Sequence, residues 1–124
     1  EIVPTVLLVV WMSAFASAFI DNIPYAATMI PLIENVSMDP VFASQLSQFA
    51  TNPLWWALAI GAGLGGNGTL VGASANLVSA GLSEKMGYPI TFNAFFKVGF
   101  PLMLITTAVA SMLLIAMMLF LPWF

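Results

Sequence analysis

The chain has no cysteine and no histidine, and it has little charge of either sign. Without cysteine it can form no disulfide and offer no thiolate, and without histidine it lacks the commonest zinc ligand. Asp, Glu, Lys and Arg together make up 6% of the residues, against roughly 25% in a soluble domain. So few charges cannot cover a water-facing surface, and the composition therefore predicts an all-α integral membrane protein.

The same shortages exclude several functions. No nucleophile–base pair and no cluster of metal ligands can be found, so we expect neither an enzyme nor a bound cofactor. A net charge of −3 gives no support to nucleic-acid binding. Residues 61–66 match the dinucleotide-binding pattern GxGxxG, but no predicted strand precedes them, and the match is accidental.

Long apolar runs dominate what is present, with 61% hydrophobic residues and a mean hydropathy of +1.04. One run covers 2–20 and a second covers 25–33, and Asp21, Asn22 and Pro24 lie between them. The second run is too short to cross a bilayer alone. We therefore expect residues 1–36 to form a re-entrant helical hairpin with its tip at SAFIDNIP. The alternative is one kinked span from Pro4 to Ile33.

Three further segments follow. Residues 37–53 are polar and predict a surface helix or loop that begins at Asp39-Pro40, and Asn52-Pro53 predicts the start of the next helix. Residues 54–86 are apolar, but GAGLGGNGTLVGAS interrupts them, which predicts a broken helix with halves at 54–63 and 74–86. Residues 92–122 predict a last transmembrane helix, begun by Thr91 or Asn93.

The chain begins without Met and is too short for a complete transporter, so we expect it to be the C-terminal piece of a longer protein. Its N-terminal remainder would then be a partner. Lys85 and Lys97 are the only basic residues, and they flank the 87–91 loop. The positive-inside tendency predicts that this loop is cytoplasmic. We expect a multi-pass protein of the plasma (inner) membrane.

The two interruptions predict a binding site if they lie at similar depth. The second hairpin arm starts near Asp21, and the second half-helix starts near Ser74, so both N-termini would point into the membrane interior. The first arms end near Ser17 and Gly66, where free carbonyls suit a cation. Asp21 would titrate or coordinate a cation, with Na⁺ near Asp21, Asn67 and Thr69. Neutral dipoles would come from Asn22, Asn67, Thr69, Ser74 and Asn76. The alternative role for Asp21, Asn67 and Asn76 is capping of helix ends.

The stretches SAFIDNIPYAATMIP and GGNGTLVGASANLVSAGLSEKMGYPITF resemble the C-terminal half of the ion transporter superfamily. The resemblance is to its arsenite-permease, NhaD-type sodium/proton antiporter and P-protein branch, whose domain is described as citrate-transporter-like. It implies two inverted repeats, each with a re-entrant hairpin and a broken helix, together with a scaffold that forms a homodimer. This chain would be the end of the second repeat.

The resemblance also implies site residues. Asp21-Asn22-Ile23 matches the position of the Ser-Asn-Thr motif in dicarboxylate-transporting relatives. The 65–76 loop, with Gly66, Asn67 and Gly68, matches the unwound region that completes the ion and substrate site. Aspartate in place of serine adds a negative charge, which disfavours di- and tricarboxylates unless Asp21 is protonated or faces a cation.

These observations predict a secondary active transporter of a small inorganic or carboxylate anion, coupled to H⁺ or Na⁺ by alternating access. One alternative is a sodium/proton antiporter in which Asp21 is the exchanged site. Another is a channel-like or structural membrane module. Membrane lipid is the expected surrounding partner in each case.

Overall fold

The computed structural model describes residues 2–121 and residue 124, and all regular secondary structure in that part is helical. The helices are α1 (Ile2–Ser17), α2 (Asn22–Met38), α3 (Pro40–Leu46), α4 (Pro53–Gly65), α5 (Ser74–Lys85) and α6 (Phe92–Phe120), with a 3₁₀ turn at Leu70–Gly72. This confirms the all-helical class, whereas the inverted repeat and the re-entrant placement stay predictions. Residues 1 and 122, which end two of the predicted segments, lie outside the described residues.

Local side-chain chemistry explains where three helices begin. Asp39, Asn52 and Thr91 each accept a hydrogen bond from a backbone N–H in the first turn of α3, α4 and α6. The donors are Val41 at 3.0 Å, Leu54 at 2.9 Å and Ala94 at 3.1 Å. Such bonds satisfy N–H groups that have no partner within the helix, so these residues fix the helix starts.

The end of α5 depends on Gly87. Its φ of +92° lies in the left-handed region, which glycine adopts without strain. In this conformation the N–H of Gly87 reaches the carbonyl of Glu84 at 3.0 Å, and the N–H of Tyr88 reaches Ser83 at 2.9 Å. This is the Schellman arrangement, and it ends the helix before the 87–91 loop.

Helices α1 and α2 form a hairpin. Residues 18–21 separate them, and the hydroxyl of Tyr25 donates to the hydroxyl oxygen of Ser13 at 3.1 Å in the interior. On one unbroken helix the Cα atoms of these residues would lie about 18 Å apart, so α2 folds back toward α1 at 18–21, which favours the predicted hairpin over a single kinked span. Helix α2 continues to Met38, beyond the predicted boundary at 36, because Glu34 and Asn35 are exposed and therefore do not interrupt it.

Two glycines bring α4 against α1. A Cβ on Gly61 would collide with the carbonyl oxygen of Val10, and one on Gly65 would collide with that of Ala14. Glycine at these positions allows the two backbones to touch, as small residues do between membrane helices. Helix α4 ends at Gly65, two residues beyond the predicted end near 63, and the close packing against α1 extends to this last residue.

Helix α6 is the one helix of the described part that is long and apolar enough to cross a membrane, by length and composition. It has 29 residues, and the mean hydropathy of its most apolar window is 2.4. Helices α1 and α4 are apolar but shorter. One stripe of α6 is buried, and it consists of Gly99, Met103, Thr107, Ser111, Leu114 and Met118. The other residues of α6 are exposed or half-buried, as expected of a helix at the edge of this unit.

Candidate ion-binding site at the hairpin tip

The carboxylate of Asp21 lies at the tip of the hairpin, immediately before α2. It makes no hydrogen bond with the first amides of α2. Instead, the hydroxyl of Ser74 donates to its Oδ2 atom at 2.9 Å. The interpretation of the Asp21 side chain as a local helix cap is therefore wrong. Its hydrogen bond joins two segments that are 53 positions apart in the sequence.

This contact places the N-termini of α2 and α5 beside one carboxylate. Asp21 directly precedes the first residue of α2, and Ser74 is the first residue of α5. No side chain caps either helix start, so both ends present N–H groups and a partial positive charge. Asp21 has no ion pair with any described residue, and Lys85 and Lys97 are both exposed. Within the described residues, the carboxylate of Asp21 therefore lies beside a hydroxyl and two helix N-termini rather than beside a basic side chain.

The 66–73 loop is fastened to the end of α1. Thr69 is fully buried, and its hydroxyl donates to the carbonyl of Ala18. Gly72 lies among three carbonyl oxygens, because a Cβ there would be 2.8 Å from those of Ala18 and Gly66 and 3.1 Å from that of Ser17. Backbone therefore packs on backbone between the loop and the hairpin tip, and a side chain at position 72 would separate them.

The carboxamide of Asn76 closes the same loop from the side of α5. Its Nδ2 atom donates to the carbonyl of Gly66 at 2.8 Å and to that of Thr69 at 3.1 Å. The expected free carbonyl at Gly66 is thus already paired. Asn76 does not cap α5, because its side chain donates to loop carbonyls instead of accepting from helix amides.

Ser17 is buried and faces α4 rather than Asp21. Its hydroxyl donates to the carbonyl of Ala62 at 2.7 Å. Together with the Tyr25–Ser13 bond, this contact fixes the hairpin arms relative to each other and to α4. The side chain of Ser17 therefore supports the tip, while its carbonyl is the group that lies near the loop.

Asn67 lies on a different side of the loop. It is exposed and borders a cavity of about 390 Å³ against the start of α6, whose lining includes Phe95 and Gly99. A Cβ on Gly99 would collide with the carbonyl oxygen of Asn67. The lining of this cavity includes neither Asp21 nor Thr69. A sodium ion bound jointly by Asp21, Asn67 and Thr69 thus stays a prediction.

The remaining predicted residues are dispersed around the tip. Asn22 borders an open cavity of about 250 Å³ with Ile23, Ala59, Ala62 and Gly63 on α2 and α4. Ile23 is 76% exposed. Gly68 is buried, and a Cβ there would lie 2.9 Å from that of Ala18. No group of three or more acidic residues in the described part could hold a metal ion. Any cation at the tip would therefore depend on Asp21 together with neutral oxygens.

Sequence reasoning missed three residues that shape this site. Tyr25 pairs with the buried Ser13, Gly72 admits the carbonyls of the tip, and Gly99 admits the backbone of Asn67. The dense glycines were a visible signal, but it indicated a break in the helix rather than close contacts. Nothing in the sequence indicates which segment each glycine would meet.

Comparison of the sequence with known proteins finds similarity to one family and to several longer proteins. The citrate transporter family matches residues 1–61. The P protein of Homo sapiens is 47% identical over 123 residues, which is 99% of this chain and 14% of that protein. The 46 kDa membrane protein of Mycobacterium leprae is 44% identical over 110 residues, covering 89% of this chain and 24% of that protein. An uncharacterized transporter of Synechocystis sp. is 38% identical over 116 residues, covering 86% of this chain and 26% of that protein.

No solved structure matches the chain. The chain spans about a seventh to a quarter of the length of these relatives. Two of the three names describe a membrane protein or a transporter, and none describes an enzyme. The chain is therefore similar to a portion of much longer relatives, and these comparisons identify it with the ion transporter superfamily, whose citrate transporter family matches residues 1–61.

Proposed function

We propose that the chain supplies part of the ion and substrate site of a secondary active transporter. The transporter moves a small anion or oxyanion, coupled to H⁺ or Na⁺, by alternating access. The observation that carries this proposal is the hydrogen bond from Ser74 to Asp21. It joins the N-termini of two helices that are both interrupted beside an apolar core, which is the arrangement found at transporter binding sites.

The proposed coupling of anion transport to H⁺ or Na⁺ is based on the negative charge of Asp21 at the hairpin tip. An unpaired carboxylate within a membrane is unfavourable by several kcal/mol, and a bound proton or Na⁺ relieves it. With Asp21 neutralised, the free N–H groups and dipoles of α2 and α5 favour an anion. Binding of the cation would therefore precede or accompany binding of the anion. This order provides the thermodynamic link that symport requires.

The substrate class follows from the same charge. A dicarboxylate beside an ionised Asp21 would bring three negative charges to one tip, and the chain has no arginine to oppose them. A small oxyanion, or an anion that arrives with its cation, fits this site better. We extend the proposal to a multi-pass homodimer in the plasma (inner) membrane, in which the remainder of the polypeptide completes the site.

A sodium/proton antiporter is the second candidate, and the isolated carboxylate of Asp21 favours it. A single acidic group without a basic partner can bind either H⁺ or Na⁺, and this competition is all that an exchanger needs. In this case no anion would be required. Flux of Na⁺ driven by a pH gradient, in the absence of any candidate anion, would distinguish exchange from symport.

The test is transport by the full-length protein in proteoliposomes. Uptake and counterflow are measured with arsenite, citrate and Na⁺ as trial substrates, with and without gradients of H⁺ and Na⁺. The proposal expects saturable counterflow of an anion that a cation gradient accelerates. Unsaturable electrogenic conductance would instead indicate a channel and would overturn the proposal.

A further inference from the structure

The first turn of α5 has two side chains that reach in different directions. Ser74 donates to Asp21 at the hairpin tip, and Asn76, two positions later, donates to the carbonyls of Gly66 and Thr69 in the loop. No residue of α5 is buried. The position of α5 relative to the hairpin therefore depends on these few polar contacts rather than on an apolar face.

The contacts of Asn76 continue to the hairpin through Thr69. The carbonyl of Thr69 accepts from Asn76, while its buried hydroxyl donates to the carbonyl of Ala18. The carboxamide of Asn76 is thus hydrogen-bonded to the loop, and the loop is hydrogen-bonded through Thr69 to the residue that follows α1. On the other side of the tip, the hydrogen bond from Ser74 to Asp21 joins α5 directly to the hairpin.

The Nδ2 group of Asn76 is a hydrogen-bond donor and therefore cannot itself be a cation ligand. Two carbonyl oxygens converge on the Nδ2 atom of Asn76, at 2.8 and 3.1 Å. A water molecule or a cation could also satisfy two such oxygens. An amide NH₂ group has two donors and no charge, so it can satisfy both carbonyl oxygens by hydrogen bonding without an ion.

We propose that Asn76 is a positioning residue that closes the 66–73 loop against the hairpin and thereby holds Ser74 at Asp21, without contacting the transported ion. This inference rests on the proposed function, because what Asn76 positions is the proposed coupling site. It assigns to Asn76 a role different from that of a ligand.

The first test measures the loop and requires no transport. Hydrogen exchange of the full-length protein is followed by mass spectrometry for wild type, Asn76→Ala and Asn76→Asp. The matched control is Asn93→Asp at an exposed position in the first turn of α6. Loss of the two hydrogen bonds should lower protection of residues 66–73 by about tenfold or more, and the control should leave it unchanged. Wild-type protection in Asn76→Ala would overturn the inference.

The second measurement uses the pH dependence of Asn76→Asp. An ionised carboxylate cannot donate to Gly66 or Thr69, whereas a protonated one can make one of the two bonds. Loop protection and transport in Asn76→Asp should therefore recover partly at acidic pH, and those of Asn76→Ala should not. A direct cation ligand predicts the reverse, with equal or tighter ion binding by Asn76→Asp at neutral pH, and that result would overturn the inference.

The two hypotheses can fail separately. Titratable groups on the surrounding elements are Asp21 at the tip, Glu84 and Lys85 at the far end of α5, and Lys97 on α6, so wild type is measured at every pH. If Asn76→Ala lowers protection of the 66–73 loop while Asp21→Asn keeps the wild-type ion dependence, the proposed function fails. The inference that Asn76 positions the loop then still holds. If Asp21→Asn loses that dependence while the loop of Asn76→Ala stays protected, the inference alone fails.

Discussion

Gly65 of α4 and Ala14 of α1 touch backbone to backbone, so closely that a Cβ on the glycine would overlap the carbonyl oxygen of the alanine. The contact lies in the last turn of both helices, just before the tip and the 66–73 loop. The relative position of the two interrupted helices is therefore fixed by close packing immediately beside the candidate site.

Substitution of Gly65 by Ala should destabilise the protein. The added methyl would push α4 away from α1, and overpacking of this kind costs about 1–3 kcal/mol. The change is measured as the loss of unfolding free energy in detergent. Gly63→Ala is the matched control, since a Cβ there has open space in the same helix and should be neutral or slightly stabilising. Equal destabilisation by the two variants would contradict the packing described.

Substitution of Gly72 by Ala should separate the loop from the hairpin tip. The methyl would lie 2.8 Å from the carbonyl oxygens of Ala18 and Gly66, which are backbone atoms and cannot rotate away. We expect transport to fall by about tenfold or more, since displacements of about 1 Å at a site have effects of this size. Gly81→Ala, with open space on α5, should retain wild-type rates. A Gly72→Ala protein with normal transport would show that the tip and loop need not touch.

The Tyr25–Ser13 hydrogen bond predicts a double-mutant cycle. Ser13→Ala leaves the Tyr25 hydroxyl without its buried partner and should cost about 1–3 kcal/mol of unfolding free energy. Tyr25→Phe removes the donor and should cost about 1 kcal/mol. The double variant should be more stable than the sum of the two losses indicates, because no unpaired hydroxyl is left. Strict additivity in denaturation experiments would mean that the two groups do not interact.

The helix starts could be predicted from the sequence because they depend on neighbouring residues. Asp39, Asn52 and Thr91 cap their helices, and Gly87 ends α5, through contacts no more than a few positions away. Such chemistry is the same in any tertiary context.

Contacts between distant segments could not be predicted in the same way. The dense glycines predicted a break, and α4 does end at Gly65. The sequence did not show that Gly61 and Gly65 also form the interface with α1. Asn67, which was predicted at the ion site, borders the cavity beside α6, and its part in ion binding stays a prediction. Which way an amide or a glycine faces depends on the neighbouring helix, and a single sequence does not show that neighbour.

Because we propose that the carboxylate of Asp21 binds the coupling ion, the transport rate of Asp21→Asn is measured against H⁺ and Na⁺ concentration. The full-length wild type is measured alongside, with Asp39→Asn as the matched control, because Asn caps a helix as well as Asp. We predict that Asp21→Asn loses the dependence on the coupling ion, either with residual uncoupled flux or with none, while Asp39→Asn keeps it. An Asp21→Asn protein whose transport rate still follows the ion gradient as in wild type would show that Asp21 does not bind the coupling ion.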